Sequence, residues 1–322
     1  MGKINTISKL KLRNKAFSFG FSLFRYALLV SIGYVVIFPM ISAITTAIKD
    51  EQAFFDLSLY WLPKYISFDS FSVALEGLDY GNAFLRTLSL NMVSAFIEIV
   101  MCAIVAYGFA RFEFKFKKIF EIFLMITIVV PTQVYIVSMV LNFKSMDIAG
   151  ILGLFNNLTG IDLRPSILNT NWTFYLPSLF AMGLRSGILI YIYIQFFVGL
   201  PKELEEAAWI DGAGPFKTFW RIAIPSSSVV IITVSVFSII WHWNDYYLSV
   251  MYMSSNYPLA VKLNNIGEFL SINNRFMGAA STSMANATKM AACLLFIIPI
   301  LIFYLIIQNK FVKSIDRVGI TG

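Results

Sequence analysis

The sequence predicts an all-α protein that crosses a membrane six times, and three observations predict it. Hydrophobic residues make up 58% of the 322 residues and charged ones only 13%, about half the charge of a soluble globular chain. Apolar runs long enough to cross the ~30 Å hydrocarbon layer, about 20 residues of helix, recur along nearly the whole chain. They are continuous rather than alternating, which fits helices that satisfy their own backbone in lipid and not the strands of a membrane barrel.

Six runs follow in order, at 22–48, 88–110, 119–141, 176–197, 229–252 and 290–307. The first follows a basic tail, 1–21, but is too long for a signal peptide and ends without a small-residue cleavage site, so it reads as a retained span. The second carries Glu98 and the fourth Arg185, each about ten positions from its expected outer end, or about 15 Å of helix. Charges at that depth need a partner or a wet cavity. Their matched depth makes a structural ion pair the first expectation and a solute contact the second. In the third span Pro131-Thr132-Gln133 marks a kink that frees backbone groups, with packing favoured over binding at Gln133. The fifth ends in "WHWNDYY", which sets Trp241 and Trp243 beside Asn244 and Asp245. Sugars stack C–H faces on aromatic rings and offer hydroxyls to amides and carboxylates, so the mixture suits a saccharide pathway. The aromatic belt of any membrane interface explains the same residues, and is favoured. A short tail, 310–322, follows the sixth span.

Counting Lys and Arg in the flanks orients the chain with its N-terminus inside. The inner stretches hold Lys3, Lys9, Lys11, Arg13 and Lys15, then Arg111, Lys115, Lys117 and Lys118, then Lys202, Lys217 and Arg221, and finally Lys310, Lys313 and Arg317. The longer outer stretches hold only Lys49, Lys64, Arg86, Lys144, Arg164, Lys262, Arg275 and Lys289. The net charge of +7 is therefore mostly topological and does not point to nucleic acid. His242 is the only histidine, which excludes any site built on two. Cys102 and Cys293 lack metal-site spacing, and no metal site is expected. No GxxxxGK[ST] loop is present, the only Gly-Lys pair being Gly2-Lys3. The chain has no catalytic constellation, and ATP, if used, is bound by another subunit.

Between the fourth and fifth spans runs "ELEEAAWIDGAGPFKTFWRIAIP". Pro201 suits a first helical position, and Glu203, Glu205 and Glu206 place negative charge where the helix dipole favours it, so a short helix is expected over 201–210. Gly212 and Gly214 tolerate positive φ, and Pro215 restarts a helix bearing Phe216, Phe219, Trp220 and Ile222, closed by Pro225. An amphipathic elbow on the membrane surface is the plain reading. The spacing goes further. Glu206-Ala207-Ala208, Gly212 four residues on, and Ile222-Ala223-Ile224-Pro225 resemble the EAA loop of binding-protein-dependent ABC importer permeases, E-A-A, three residues, G, nine residues, I-x-L-P. Ile224 in place of Leu is the one departure. "AYGFARFEFKFKK", "GLRSGILIYIYIQFFVGLPKELEEAAWIDGAG" and "WHWNDYY" are similar to the carbohydrate-type, maltose-transporter-like permeases, a likeness running from about residue 20 to the end.

That resemblance implies a single six-span domain over 22–309, with a cytoplasmic coupling helix within 201–225 that docks in a groove of an ATPase subunit through Glu206, Ala207, Ala208, Asp211, Gly212, Ile222 and Pro225. It implies a second permease subunit, two ATPase subunits that bind the ATP, an extracytoplasmic solute-binding protein approached by the loop near 254–287, and no cofactor of the chain's own. It places the protein in the bacterial inner membrane, with lipid around it and both termini in the cytoplasm, importing a sugar or oligosaccharide. A channel or secondary transporter not coupled to ATP is the alternative. It needs no docking elbow, and 22–141 and 176–307 show no internal similarity of the kind many secondary transporters carry.

Overall fold

The computed structural model describes residues 2–50, 65–147, 150–272 and 281–319, with side chains from 17 to 308 among them except that of 281. The basic side chains of the two tails, with Lys64 and Arg275, lie outside what is described. Helices account for nearly all of the fold: α1 (Gly2–Ala47), α2 (Asp69–Gly77), α3 (Tyr80–Arg111), α4 (Lys117–Val129), α5 (Thr132–Lys144), α6 (Ile151–Thr159), α7 (Trp172–Leu179), α8 (Ser186–Gly199), α9 (Glu203–Ile210), α10 (Pro215–Thr218), a π-wound turn (Phe219–Ala223), α11 (Ile224–Ser226), α12 (Ser228–Trp243), α13 (Tyr247–Tyr252), α14 (Leu259–Asn264), α15 (Ile266–Ile272) and α16 (Ser281–Gly319). Three helices are long and apolar enough to cross a membrane, Phe17–Ala47, Tyr80–Arg111 and Thr282–Gln308, and three bent pairs raise the number to six if each pair is one span.

One compact unit takes in 1–74 and 270–294. Its long helix α1 shows large apolar side chains to the outside from Phe17 to Ile44. A helix apolar on every side and uncovered belongs in lipid or against another chain. Beyond α1 the backbone turns back, with Lys49 facing Ile66 in an isolated antiparallel bridge and the Ser67 amide donating to the Ile48 carbonyl over 3.0 Å.

The other unit takes in 75–269 and 295–322, and α3 is its hub, packed by α7, α8, α12 and α14. The buried stripe of α3 runs through Ala83, Thr87, Leu90, Ser94, Glu98, Cys102 and Ala106, at the three- and four-residue spacing of one helical face. Most of these are small, which lets neighbouring backbones approach closely. Below them Tyr107, Tyr193, Phe197 and Phe219 fill one aromatic core.

Three of the expected spans are broken. Pro131 has no amide to donate and forces Val130 into extended backbone, and α4 and α5 meet there at 101°. The continuous helix expected over 176–197 is corrected to α7 and α8, joined by an irregular 180–185 stretch in which Ala181 and Arg185 take left-handed backbone, φ 53° and 59°. The helix expected over 229–252 is likewise two pieces. Asp245 accepts hydrogen bonds from the amides of Leu248 and Ser249, at 3.2 and 2.9 Å, and from the Ser249 hydroxyl at 2.9 Å. A carboxylate capping α13 in this way competes with continuing α12.

Candidate functional site

The 201–225 segment forms a corner, a short helix, a tight turn and a second corner. α9 leaves α8 at 75°, and 215–226 meets α12 at 80°. The turn is a Schellman motif: the Ala213 amide donates to the Ala208 carbonyl at 2.9 Å, the Gly212 amide to the Trp209 carbonyl at 3.0 Å, and Gly212 sits at φ 79°. Gly214, expected to share that freedom, has φ −73° and needs none. The π-wound turn lies just before Pro225, which has no amide to donate.

Among the residues assigned to docking, Glu206, Ala207, Asp211, Gly212 and Pro225 are exposed, Ile222 is half-buried and Ala208 is buried against the chain itself. Ile210, 87% exposed, and Phe216, 74%, stand out beside them. An acidic helix flanked by large uncovered apolar side chains is the composition of a contact surface.

All three glutamates of α9 suit the helix dipole in sequence; the structure sets Glu205 apart from the other two. Glu203 and Glu206 face outward, whereas Glu205 is buried and its Oε1 accepts from Arg111 Nε at 2.9 Å. The signal available in the sequence was Ala208, three residues on and therefore on the same face as Glu205.

Glu98 and Arg185 do not pair. The Glu98 carboxylate, 0% exposed, accepts from the Ser186 hydroxyl at 2.5 Å and the Ser238 hydroxyl at 2.7 Å, with His242 Nδ1 at 3.7 Å. That His242 nitrogen donates to the Ser238 carbonyl at 2.9 Å. Depth counting assumed an unbroken fourth helix; the break ends at Arg185, and Ser186, the first residue of α8, faces the carboxylate instead. Gly183 crosses so close that a Cβ there would lie 2.7 Å from Glu98 Oε1 and 2.8 Å from the Ser178 hydroxyl.

Arg185 instead holds its guanidinium over the Trp241 ring, 5.1 Å from the centroid. It belongs to a cleft of about 280 Å³ that also brings together Gln133, Trp241, Asn244, Asp245, Tyr246 and Tyr247. Four residues assigned to a solute pathway thus share one wall, at the breaks of three helices. Two details revise their roles. Trp241 stacks on Phe237 at 5.4 Å as well as carrying Arg185, so its ring is largely engaged. Trp243 is 3% exposed, donates from Nε1 to the Phe296 carbonyl at 3.2 Å and is a packing residue outside the cleft. Arg185→Gln is expected to lower the stability of the purified protein by no more than about 1 kcal/mol, the worth of an exposed cation–π contact. Thermal unfolding measures it; a loss of about 3–5 kcal/mol, as from breaking a buried pair, would reinstate the ion pair.

The sequence model of the family described as "Binding-protein-dependent transport system inner membrane component" matches residues 99–317. The chain is 27% identical over 288 residues to the "Melibiose/raffinose/stachyose import permease protein MelC" of Bacillus subtilis (strain 168), covering 88% of this chain and 91% of the relative. It is 24% identical to the "Trehalose transport system permease protein SugB" of Mycobacterium tuberculosis (strain CDC 1551 / Oshkosh), covering 90% and 94%. It is also 24% identical to the "sn-glycerol-3-phosphate transport system permease protein UgpE" of Yersinia pestis, covering 92% and 96%. The fold matches a chain from the "Crystal structure of a bacterial ABC transporter involved in the import of the acidic polysaccharide alginate" with a TM-score of 0.66, at 17% identity, covering 90% of this chain and 96% of that one.

Proposed function

Because the chain belongs to the family of binding-protein-dependent transport system inner membrane components, we propose that it is one half of the permease of an ATP-binding-cassette importer for a sugar or oligosaccharide. The observation that carries this reading is the elbow, whose acidic helix, Schellman turn and uncovered Ile210 and Phe216 make a compact protrusion suited to a groove on an ATPase. A channel or secondary transporter would need no such element. In this reading Glu206 meets a basic group of the ATPase, Ala207 allows close approach, and ATP-driven closure of two ATPases pushes two such elbows together. Both chain ends and the elbow then lie in the cytoplasm, as the distribution of Lys and Arg favours. A solute-binding protein delivers the saccharide from outside, and a second permease subunit supplies the other wall of the pathway.

The cleft is this chain's share of that wall. Gln133 offers its amide and Asn244 its side-chain oxygen, the Asn244 Nδ2 already donating to the Ile240 carbonyl at 2.8 Å, and Tyr246 and Tyr247 offer rings not stacked on Phe237 or Arg185. Asp245 is already occupied as a helix cap and serves shape rather than contact. Gln133→Ala and Asn244→Ala are each expected to slow saccharide uptake per molecule of protein about twofold to tenfold, the loss of one hydrogen bond of ~0.5–1.5 kcal/mol. The affinity of the binding protein, measured separately, should stay unchanged. Uptake equal to wild type in both variants would remove the cleft from the pathway.

A further inference from the structure

The corner between α8 and α9 is held by a side chain from a third helix. Only Leu200, Pro201 and Lys202 separate the two helices, and they turn the chain through 75°. At the last residue of α3, Arg111 reaches across that corner. Its Nε donates to Glu205 Oε1 in the first turn of α9 at 2.9 Å, and its second guanidinium nitrogen, Nη2, donates to the Leu200 carbonyl at the end of α8 at 2.8 Å. Arg111 and Glu205 side chains are 4% and 3% exposed. One turn earlier on α3, Tyr107 packs its ring 5.5 Å from Phe197 of α8 and 5.0 Å from Phe219 of the π-wound turn. The corner is thus pinned by charge-assisted bonds on one side and filled by rings on the other.

A three-residue connector left to itself is a hinge. Braced by a planar guanidinium with one donor on each arm, it is a rigid bracket, because two bonds in fixed directions define an angle where one defines only a distance. We propose that Arg111 is a positioning residue that makes α9 move as one lever with α3 and α8, so that displacement of the elbow turns the spans instead of bending the chain at 200–202. This rests on the reading of 201–225 as the ATPase-docking element.

The test uses the assembled importer in lipid nanodiscs, with spin labels at Gln195→Cys on α8 and Leu204→Cys on α9, both exposed positions outside the docking set. Their distance distribution is measured by electron double resonance without nucleotide and with ATP and vanadate. With Arg111 present the distribution should be the same in both states. In Arg111→Met and in the isosteric Glu205→Gln, nucleotide should split or shift it, the ratio of braced to displaced molecules falling at least about tenfold for the loss of a charge-assisted bond. Arg111→Lys, which keeps the charge but not the fork, should fall between. Unchanged distributions in both variants overturn the lever. So does loss of the ATPase subunits from either variant on co-purification, since the pair would then shape the docking surface itself. Wild-type stimulation of ATP hydrolysis in Glu206→Lys would count against the docking reading and not against the brace.

Discussion

Glu206→Lys and Gly212→Pro are each expected to abolish the stimulation of ATP hydrolysis by the solute-binding protein, a loss of at least about tenfold, while the permease still inserts in the membrane. The two act through different physics. Glu206 is exposed on α9, so its reversal costs this chain little and falls on whatever basic group it meets. A charge-assisted bond of ~1.5–3 kcal/mol becomes a repulsion, which exceeds the ~1.4 kcal/mol of a tenfold change. Gly212 acts through the backbone. Proline cannot reach its φ of 79°, and it removes the amide that donates to the Trp209 carbonyl at 3.0 Å. The helix would lose its cap and the chain its way out of the groove. Hydrolysis stimulated to the wild-type level in both variants, measured in the reconstituted complex, would sink the assignment of this loop.

The second large effect is on stability, at the carboxylate buried between α3, α8 and α12. Removing one hydroxyl donor, by Ser186→Ala or Ser238→Ala, should cost about 1–3 kcal/mol, because Glu98 stays buried with one partner fewer. Replacing all three groups, with Glu98→Met beside both alanines, should cost less than the sum, since an apolar cluster has nothing left to satisfy. Gly183→Ala should destabilise by about 1–3 kcal/mol through overpacking, as its Cβ would lie 2.7 Å from Glu98 Oε1. Thermal unfolding in one detergent compares the set. Strictly additive losses across the triple variant would show that the three side chains do not act as a cluster.

The apolar stretches were legible because hydropathy sums over many residues and survives local irregularity. The elbow was legible because Pro201, the acidic first turns, Gly212 and Pro215 punctuate it locally, each by a backbone property that needs no tertiary partner. What the sequence concealed was set by contacts distant in the chain. Pro177 and Gly183 are the local cues to a break ahead of α8, and without that break the helical ruler that pairs Arg185 with Glu98 measures along a helix that is not there. Ser186 and Ser238 read as small packing residues, yet they are the partners of the charge. In the sequence Arg111 reads as one more inner-facing cation and Glu205 as one more first-turn acid, and 94 residues separate them. The Asn244-Asp245 pair does carry a local cue, the tendency of such side chains to cap rather than continue a helix, but the aromatic residues around it point to a membrane-interface belt first and a saccharide contact second.

The Glu98 cluster also bears on the order in which the chain is made. Glu98 emerges from the ribosome in the second apolar segment, whereas the two hydroxyls that satisfy it lie 88 and 140 residues later. Until the fourth and fifth segments arrive, that segment must enter the bilayer with a bare carboxyl, at a cost of about 2.5–3.5 kcal/mol for an acidic side chain at mid-helix on insertion scales. Its long flanking apolar stretches, from Tyr80 to Arg111, outweigh that cost. During that interval the nascent chain is held in the membrane by greasy length alone. Its polar wiring is completed only after more than a hundred further residues have been translated, so errors in placing α8 or α12 would strand a polar group already committed to lipid.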